Sequence, residues 1–330
     1  MKALADPTIL FFAFGLLAGM VRSNLEIPPQ IARFLSLYLL MALGLKGGFA
    51  LAESGLGGEV LPSLLSAVAL AFAVPAIGFV LLRRFLSGFD AAAIAATYGS
   101  VSAVTFITAS QYLETRGLAF GGHMAAAMAL MESPAIIMAV CFANALRQRA
   151  TGAVSGGAAV LGTPTQPVPL RKILHESFTD GAQLLLLGGL AVGLITGEAG
   201  KAAMQPFSID IFKGMLAFFL LDMGLQAARS LRDLRGTPPG LLLYAVLGPL
   251  SHAGLALLLA LATGLSAGNA TLLMVLAGSA SYIAVPAVLR YALPEARPAL
   301  YLGMSLGITF PLNILFGIPL YAAIAHTLIA

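Results

Sequence analysis

The chain has 330 residues, of which 59% are hydrophobic and only 10% charged, with a net charge of +4. A soluble domain carries about 25% charged residues, so a water-soluble globule is excluded, and a mean hydropathy of +0.94 agrees. The isoelectric point near 9.3 suggests nucleic acid, but the arginines sit at the ends of apolar runs, where membrane topology accounts for them, and no nucleic-acid partner is expected.

A membrane-crossing helix needs roughly 20 mostly apolar residues. Taken in order, the apolar runs at 4–21, 31–52, 60–82, 90–111 and 122–146 give five predicted spans. The first run follows Lys2 and has the outline of a signal peptide, but no small-residue cleavage site is obvious and Arg22 follows directly, so it reads as a span. A stretch rich in Gly, Pro and Thr at 147–172 reads as a linker. Five further spans follow at 173–196, 209–228, 240–261, 269–292 and 299–328. The expected fold is an all-α integral membrane protein of ten transmembrane helices, divided into 1–146, the linker 147–172, and 173–330.

The two halves echo one another. The fourth span is interrupted by Tyr98-Gly99-Ser100-Val101-Ser102-Ala103-Val104-Thr105, and the ninth by Gly278-Ser279-Ala280-Ser281-Tyr282-Ile283-Ala284-Val285-Pro286. Met41 to Gly48 resembles Leu221 to Ala228, and Glu132-Ser133-Pro134 sits where Thr309-Phe310-Pro311 sits later. The spacing between counterparts stays within a few residues of 179. Five spans per half is an odd number, so the second half must enter the membrane from the opposite side. That is an inverted-topology repeat, the plan of many secondary carriers.

Orientation follows from the basic residues. Connections after odd-numbered spans and the adjoining span ends hold thirteen Lys and Arg, including Arg83, Arg84, Arg147 and Arg149, while the other side holds only Lys2, Arg116 and Lys201. Both termini are expected outside and the linker in the cytoplasm, in a plasma or inner membrane.

A helix that unwinds at mid-membrane frees N–H and C=O groups, and such breaks survive only when buried or lining a cavity. A half-helix that starts there points its partly positive end at the cavity and favours an anion. Gly99, Ser100, Val101, Ser102 and Ala103, with Ser279, Ala280, Ser281 and Tyr282, are therefore the expected substrate-binding residues. Hydroxyls and a carboxylate suit a hard cation such as Na⁺, which nominates Ser102, Thr105, Glu132 and Ser281. Small residues also let membrane helices pack closely, but their recurrence at repeat-related positions points to a site. Glu132, deep in an apolar span, is a functional candidate by default. Tyr282 and Gln111 are expected to line the cavity. Lys46 and Asp222 are near-equivalent in the repeat and read as a structural pair. His252 reads as a hydrogen-bonded packing residue, with a proton relay as the alternative, and His123 and His326 read as interfacial. No metal-binding spacing beyond a Na⁺ site, no organic cofactor motif and no nucleophile–base arrangement stands out, so no enzymatic activity is expected.

The chain resembles the SbtA-type sodium-dependent bicarbonate transporters along nearly its whole length. The resemblance is carried by Leu25-Glu26-Ile27-Pro28, Gly44-Leu45-Lys46-Gly47-Gly48, Gly99-x-Val101-Ser102-x-x-Thr105, Pro249-x-x-His252, Ser279-x-Ser281-x-Ile283-x-x-Pro286 and Tyr301-Leu302-Gly303, in order and spacing together. It implies a gate domain of spans 1, 2, 6 and 7, a core domain of spans 3–5 and 8–10, and a bicarbonate site with Na⁺ beside it where the two broken helices cross. It also implies a homotrimer, an elevator-like shift of the core, and in cyanobacterial members a PII-like regulator at the cytoplasmic region. Tyr282 stands where those members carry Asp, Ala284 and Val285 replace Ser and Gly, and Glu132 replaces Asp. The expected partner is a small inorganic or organic anion; the alternatives are a Na⁺-coupled carrier of another organic anion, on a plan similar to bile-acid-type carriers, and a non-transporting sensor or scaffold.

Overall fold

In the computed structural model the described residues are 6–55, 57–154, 181–234 and 236–329. Among them there is no strand. The helices are α1 (Pro7–Met20), α2 (Pro29–Ser54), α3 (Val60–Leu82), α4 (Gly88–Gly99), α5 (Ala103–Glu114), α6 (Met124–Val154), α7 (Gly181–Gln205), α8 (Phe212–Asp233), α9 (Pro239–Thr263), α10 (Ala267–Ala277) and α11 (Ala284–Ala292). The last helical stretch, α12 (Pro298–Ile329), contains two π-helical segments, Gly303–Thr309 and Asn313–Gly317.

Seven helical stretches among the described residues are long and apolar enough to cross a membrane, with two shorter apolar helices, Pro7–Met20 and Ala267–Ala277. The chain is thus a multi-pass membrane protein. One of the seven, Gly181–Asp233, covers two predicted spans. Gly197 breaks it at φ 53, a conformation that costs glycine little and other residues much. The predicted spans at 90–111 and 269–292 are each two half-helices, α4 with α5 and α10 with α11. The linker differs from expectation at its start: α6 continues to Val154, because Arg147, Gln148, Arg149 and Ala150 are good helix formers and the glycine-rich sequence begins only afterwards. Residues 155–180, which hold the rest of the linker and the start of the sixth span, lie outside the described residues.

The closest helix packing forms two groups, which meet where α8 packs on the Gly303–Thr309 segment of α12. The most extensive pairings are α2 with α7 and α1 with α8. Both rest on backbone-to-backbone approach through glycine. A Cβ on Gly48 would overlap the Leu190 carbonyl, and one on Gly224 would overlap that of Phe12. Gly44 meets Gly189 and Gly48 meets Gly193, so α2 and α7 run in the same direction, as do α1 and α8. Small residues at every fourth position are the usual means by which membrane helices pack this closely. In the second group α3, α4 and α6 pack together, as do α9, α10 and α12.

Two acidic residues fasten the ends of that second group. Ser87 caps α4 by accepting the Asp90 N–H at 3.1 Å, and the Asp90 carboxylate accepts the Arg297 N–H at 2.8 Å. Glu59 accepts from Ser266 N–H at 2.8 Å and from Asn269 Nδ2 at 2.8 Å, while Asn269 Oδ1 accepts the Gly121 N–H at 2.7 Å. Burial works to raise the Glu59 carboxyl, but the hydrogen bonds from Ser266 and Asn269 outweigh it and hold it below the usual carboxylate range. His123, directly before α6, is buried beside Ser63, with Nε2 3.1 Å from its hydroxyl. The expected Lys46–Asp222 pair does not form. Lys46 Nζ lies 2.6 Å from Glu114 Oε2, and Asp222 accepts from Gln226 Nε2 at 2.7 Å. Each side chain takes the partner on its own side of the molecule.

Candidate functional site: two crossing helix breaks

The first break occupies three residues, Ser100 to Ser102. α4 ends at Gly99, where a side chain would overlap the ring of Pro75 on α3. Ser100 turns to extended geometry, φ −93 and ψ −175. Ser102 then caps α5: its Oγ accepts the Thr105 N–H at 3.2 Å and the Thr105 hydroxyl at 2.9 Å. This satisfies one of the four N-terminal donors that every helix leaves open. The second break runs from Gly278 to Ile283, between α10 and α11. Asn313 Nδ2 donates to the Gly278 carbonyl at 2.7 Å, and Ser281 Oγ accepts the Val285 N–H at 3.3 Å.

The two breaks cross and bond to each other. Ser102 N–H donates to Ser279 Oγ at 3.0 Å. Ser281 N–H donates to the Thr97 carbonyl at 2.8 Å. Backbone groups freed by unwinding thus find partners in the opposite break, as groups at membrane depth must.

Beside the crossing lies a cavity of about 70 Å³. The helix starts of α5 and α11 face it through Ser102, Ala103, Ser281 and Ala284. Glu132 of α6, Gln183 of α7, Ser36 of α2 and Tyr282 add to its polar lining, with Gln183 Nε2 2.6 Å from Glu132 Oε2. Leu39, Leu40, Leu186 and Phe219 supply apolar walls from α2, α7 and α8. The cavity is therefore bounded by the crossing on one side and by the other helix group on the other.

Of the residues named from sequence, Val101, Ser102, Ala103, Glu132, Ser281 and Tyr282 line this cavity. Gly99, Ser100, Thr105, Ser279 and Ala280 are buried behind it and shape the crossing. Thr105 reaches the site only through Ser102. The Ser100 hydroxyl is buried without a hydrogen-bond partner, and the Tyr282 hydroxyl is buried beside Ser102 without a formed bond. Gln111 does not line the cavity; it stands near the far end of α5, more than two turns from the break. His252 packs against the rings of Tyr98 and Tyr244, but its Nδ1 has no hydrogen-bond partner, contrary to expectation. Gln183 was missed. Its only signal is a lone amide in an otherwise apolar run from Gly181 to Leu190.

The donor set is oxygen-rich and hard: a carboxylate, serine hydroxyls and a phenol. That chemistry fits an alkali cation, while the two helix starts fit an anion. Among the described residues no three His, Cys, Asp or Glu side chains converge as a metal cluster. No curated protein matches the chain. The sequence profile of the Na⁺-dependent bicarbonate transporter superfamily matches residues 7–326, and the chain belongs to that superfamily.

Proposed function

We propose that the protein is a secondary active transporter that couples Na⁺ to uptake of bicarbonate or a similar small anion. The observation that carries this reading is the crossing itself: two helix starts and a carboxylate share one small cavity. An anion and a cation bound side by side neutralise each other, so neither is stranded in low dielectric.

Roles follow from lone pairs and protons. Ser102 Oγ already accepts two hydrogen bonds, so what it can offer the anion is its O–H. The partly positive starts of α5 and α11 add to it. Glu132, Ser281 and Tyr282 offer oxygens to Na⁺. Thr105 acts by holding Ser102. The cavity volume of about 70 Å³ favours a small anion, since sites for drug-sized molecules run from roughly 300 Å³ upward.

We further read the two packing groups as a gate of α1, α2, α7 and α8 and a core of α3–α6 and α9–α12, related internally as an inverted repeat. The parallel glycine-locked pairs α1–α8 and α2–α7 support a rigid gate. The Asp90 and Glu59 fastenings support a core that moves as one body. Sliding of the core against the gate, elevator-like, then carries the cavity from one face to the other.

The test is joint stabilisation of the purified protein. A ligand that binds only the folded state raises its melting temperature. Na⁺ and bicarbonate together are expected to raise it more than either does separately, and choline with bicarbonate not at all. Equal effects of NaCl and sodium bicarbonate would sink the coupled-site reading.

A further inference from the structure

Lys46 is a membrane-embedded lysine in α2 that the cavity does not use. It lines a second space of about 370 Å³, a vestibule on the face that carries Lys201 and Glu53. The vestibule floor includes Leu43 and Phe106. One helical turn deeper, Leu39, Leu40 and Ala103 line the substrate cavity. The seal between the two spaces is therefore about one turn thick, roughly 5 Å.

Two contacts tie the helix groups together on the vestibule side of that seal. At the first, the backbone of Gly122, just before α6, lies against Gly47 of α2, so close that a Cβ on Gly122 would overlap the Gly47 carbonyl. At the second, Lys46 Nζ meets Glu114 Oε2 at 2.6 Å, at the end of α5. Lys46 is half-buried and Glu114 is exposed, with side-chain exposures of 19% and 32%, so the pair is partly open to solvent.

The position of this pair is unusual. Among the described residues the other ion pairs stay within one helix group. Lys201 with Glu53 and Lys213 with Asp6 join parts of the gate, while Arg147 with Glu295 and Arg297 with Asp90 join parts of the core. Lys46 with Glu114 crosses between the groups. The ammonium also lies 4.4 Å from the ring centroid of Phe212, at the start of α8. That cation–π contact anchors it to the gate whatever Glu114 does.

We infer that Lys46 and Glu114 form the latch that keeps the vestibule shut from the substrate cavity, and that they must part when the core moves. Lys46 and Glu114 are positioning residues: they touch no bound ion in the cavity but bias which face the cavity opens to. Once released, Lys46 stays over Phe212 as an exposed positive charge in the vestibule, where it attracts an incoming anion. This inference rests on the transporter reading.

The test is one-sided cysteine accessibility, which requires no knowledge of the substrate. Cys141 is exposed, so Cys141→Ser supplies the background, and Ala103→Cys places a probe in the cavity. A membrane-impermeant cationic methanethiosulfonate is applied to vesicles of either orientation. Lys46→Met and Glu114→Gln should each speed modification from the Lys201 face about fivefold, the shift that ~1 kcal/mol produces. They should slow it from the opposite face. The charge-swapped protein, Lys46→Glu with Glu114→Lys, should return to the parent rates. A merely structural role would loosen the fold and raise both rates together, and that result, or unchanged rates in both single variants, overturns the latch. If the latch variants shift accessibility yet the parent moves no anion, the latch stands and the transporter reading fails.

Discussion

Replacing Ser102 by alanine separates the two ions. Ser102 Oγ takes the Thr105 N–H at 3.2 Å and the Thr105 hydroxyl at 2.9 Å, which occupies both of its lone pairs. Loss of this cap should lower stability by about 1 kcal/mol. Loss of its O–H as a donor to a charged ligand should cost a further ~1.5 kcal/mol or more, so the half-saturating anion concentration rises at least about tenfold. The half-saturating Na⁺ concentration should change much less. The assay is uptake into proteoliposomes, varying the anion at saturating Na⁺ and then Na⁺ at saturating anion, beside a thermal melt. Thr105→Val is the companion variant. It removes one hydroxyl donor, leaves the Thr105 N–H and the Ser102 proton in place, and should leave anion affinity near the parent value. A Ser102→Ala protein with a large rise in Na⁺ requirement and unchanged anion requirement would refute the lone-pair reasoning and make Ser102 a cation ligand.

Glu132→Gln keeps the side-chain shape beside Gln183 but removes the charge, so the Na⁺ requirement should rise about tenfold or more while the detergent-solubilised protein still elutes as a folded particle. Uptake indistinguishable from the parent would make Glu132 structural. Gly48→Ala forces a methyl into the α2–α7 contact and should cost about 1–3 kcal/mol in stability. Gly254→Ala is the control: its Cβ meets nothing within 4 Å, so it should be neutral or stabilise by up to ~1 kcal/mol. Glu59 titrates below the usual carboxylate range, so its stabilisation is fully present above the unfolded value of about 4.3 and is lost as pH falls through the lower folded value. Melts recorded against pH should show an acid-side decline that Glu59→Gln reduces; identical profiles would discount the fastening at Ser266 and Asn269.

Much of the architecture was legible because hydropathy and small-residue density are local signals. The predicted third span, 60–82, coincides with α3, and both interrupted spans are helix pairs broken at the serine-rich stretches. Side-chain partners were not legible, because they depend on how distant helices meet. Lys46 and Asp222 look equivalent in sequence, yet the close glycine packing of α2 on α7 turns Lys46 toward α5, and Asp222 stays on α8 with Gln226. Gln183 reaches Glu132 only once α7 lies across the cavity from α6. His252 was legible by half: it packs against aromatic rings as expected, but its Nδ1 finds no hydrogen-bond partner. The merged stretch Gly181–Asp233 shows that a glycine with positive φ and a π-helical turn can replace a loop that apolar runs alone would place.

The most direct test of the central claim is uptake of labelled bicarbonate into proteoliposomes with and without an inward Na⁺ gradient. The expected result is accumulation above equilibrium that collapses when choline replaces Na⁺. Equal bicarbonate levels with and without the gradient, in vesicles whose protein is folded and correctly inserted, would contradict Na⁺-coupled bicarbonate transport by this chain.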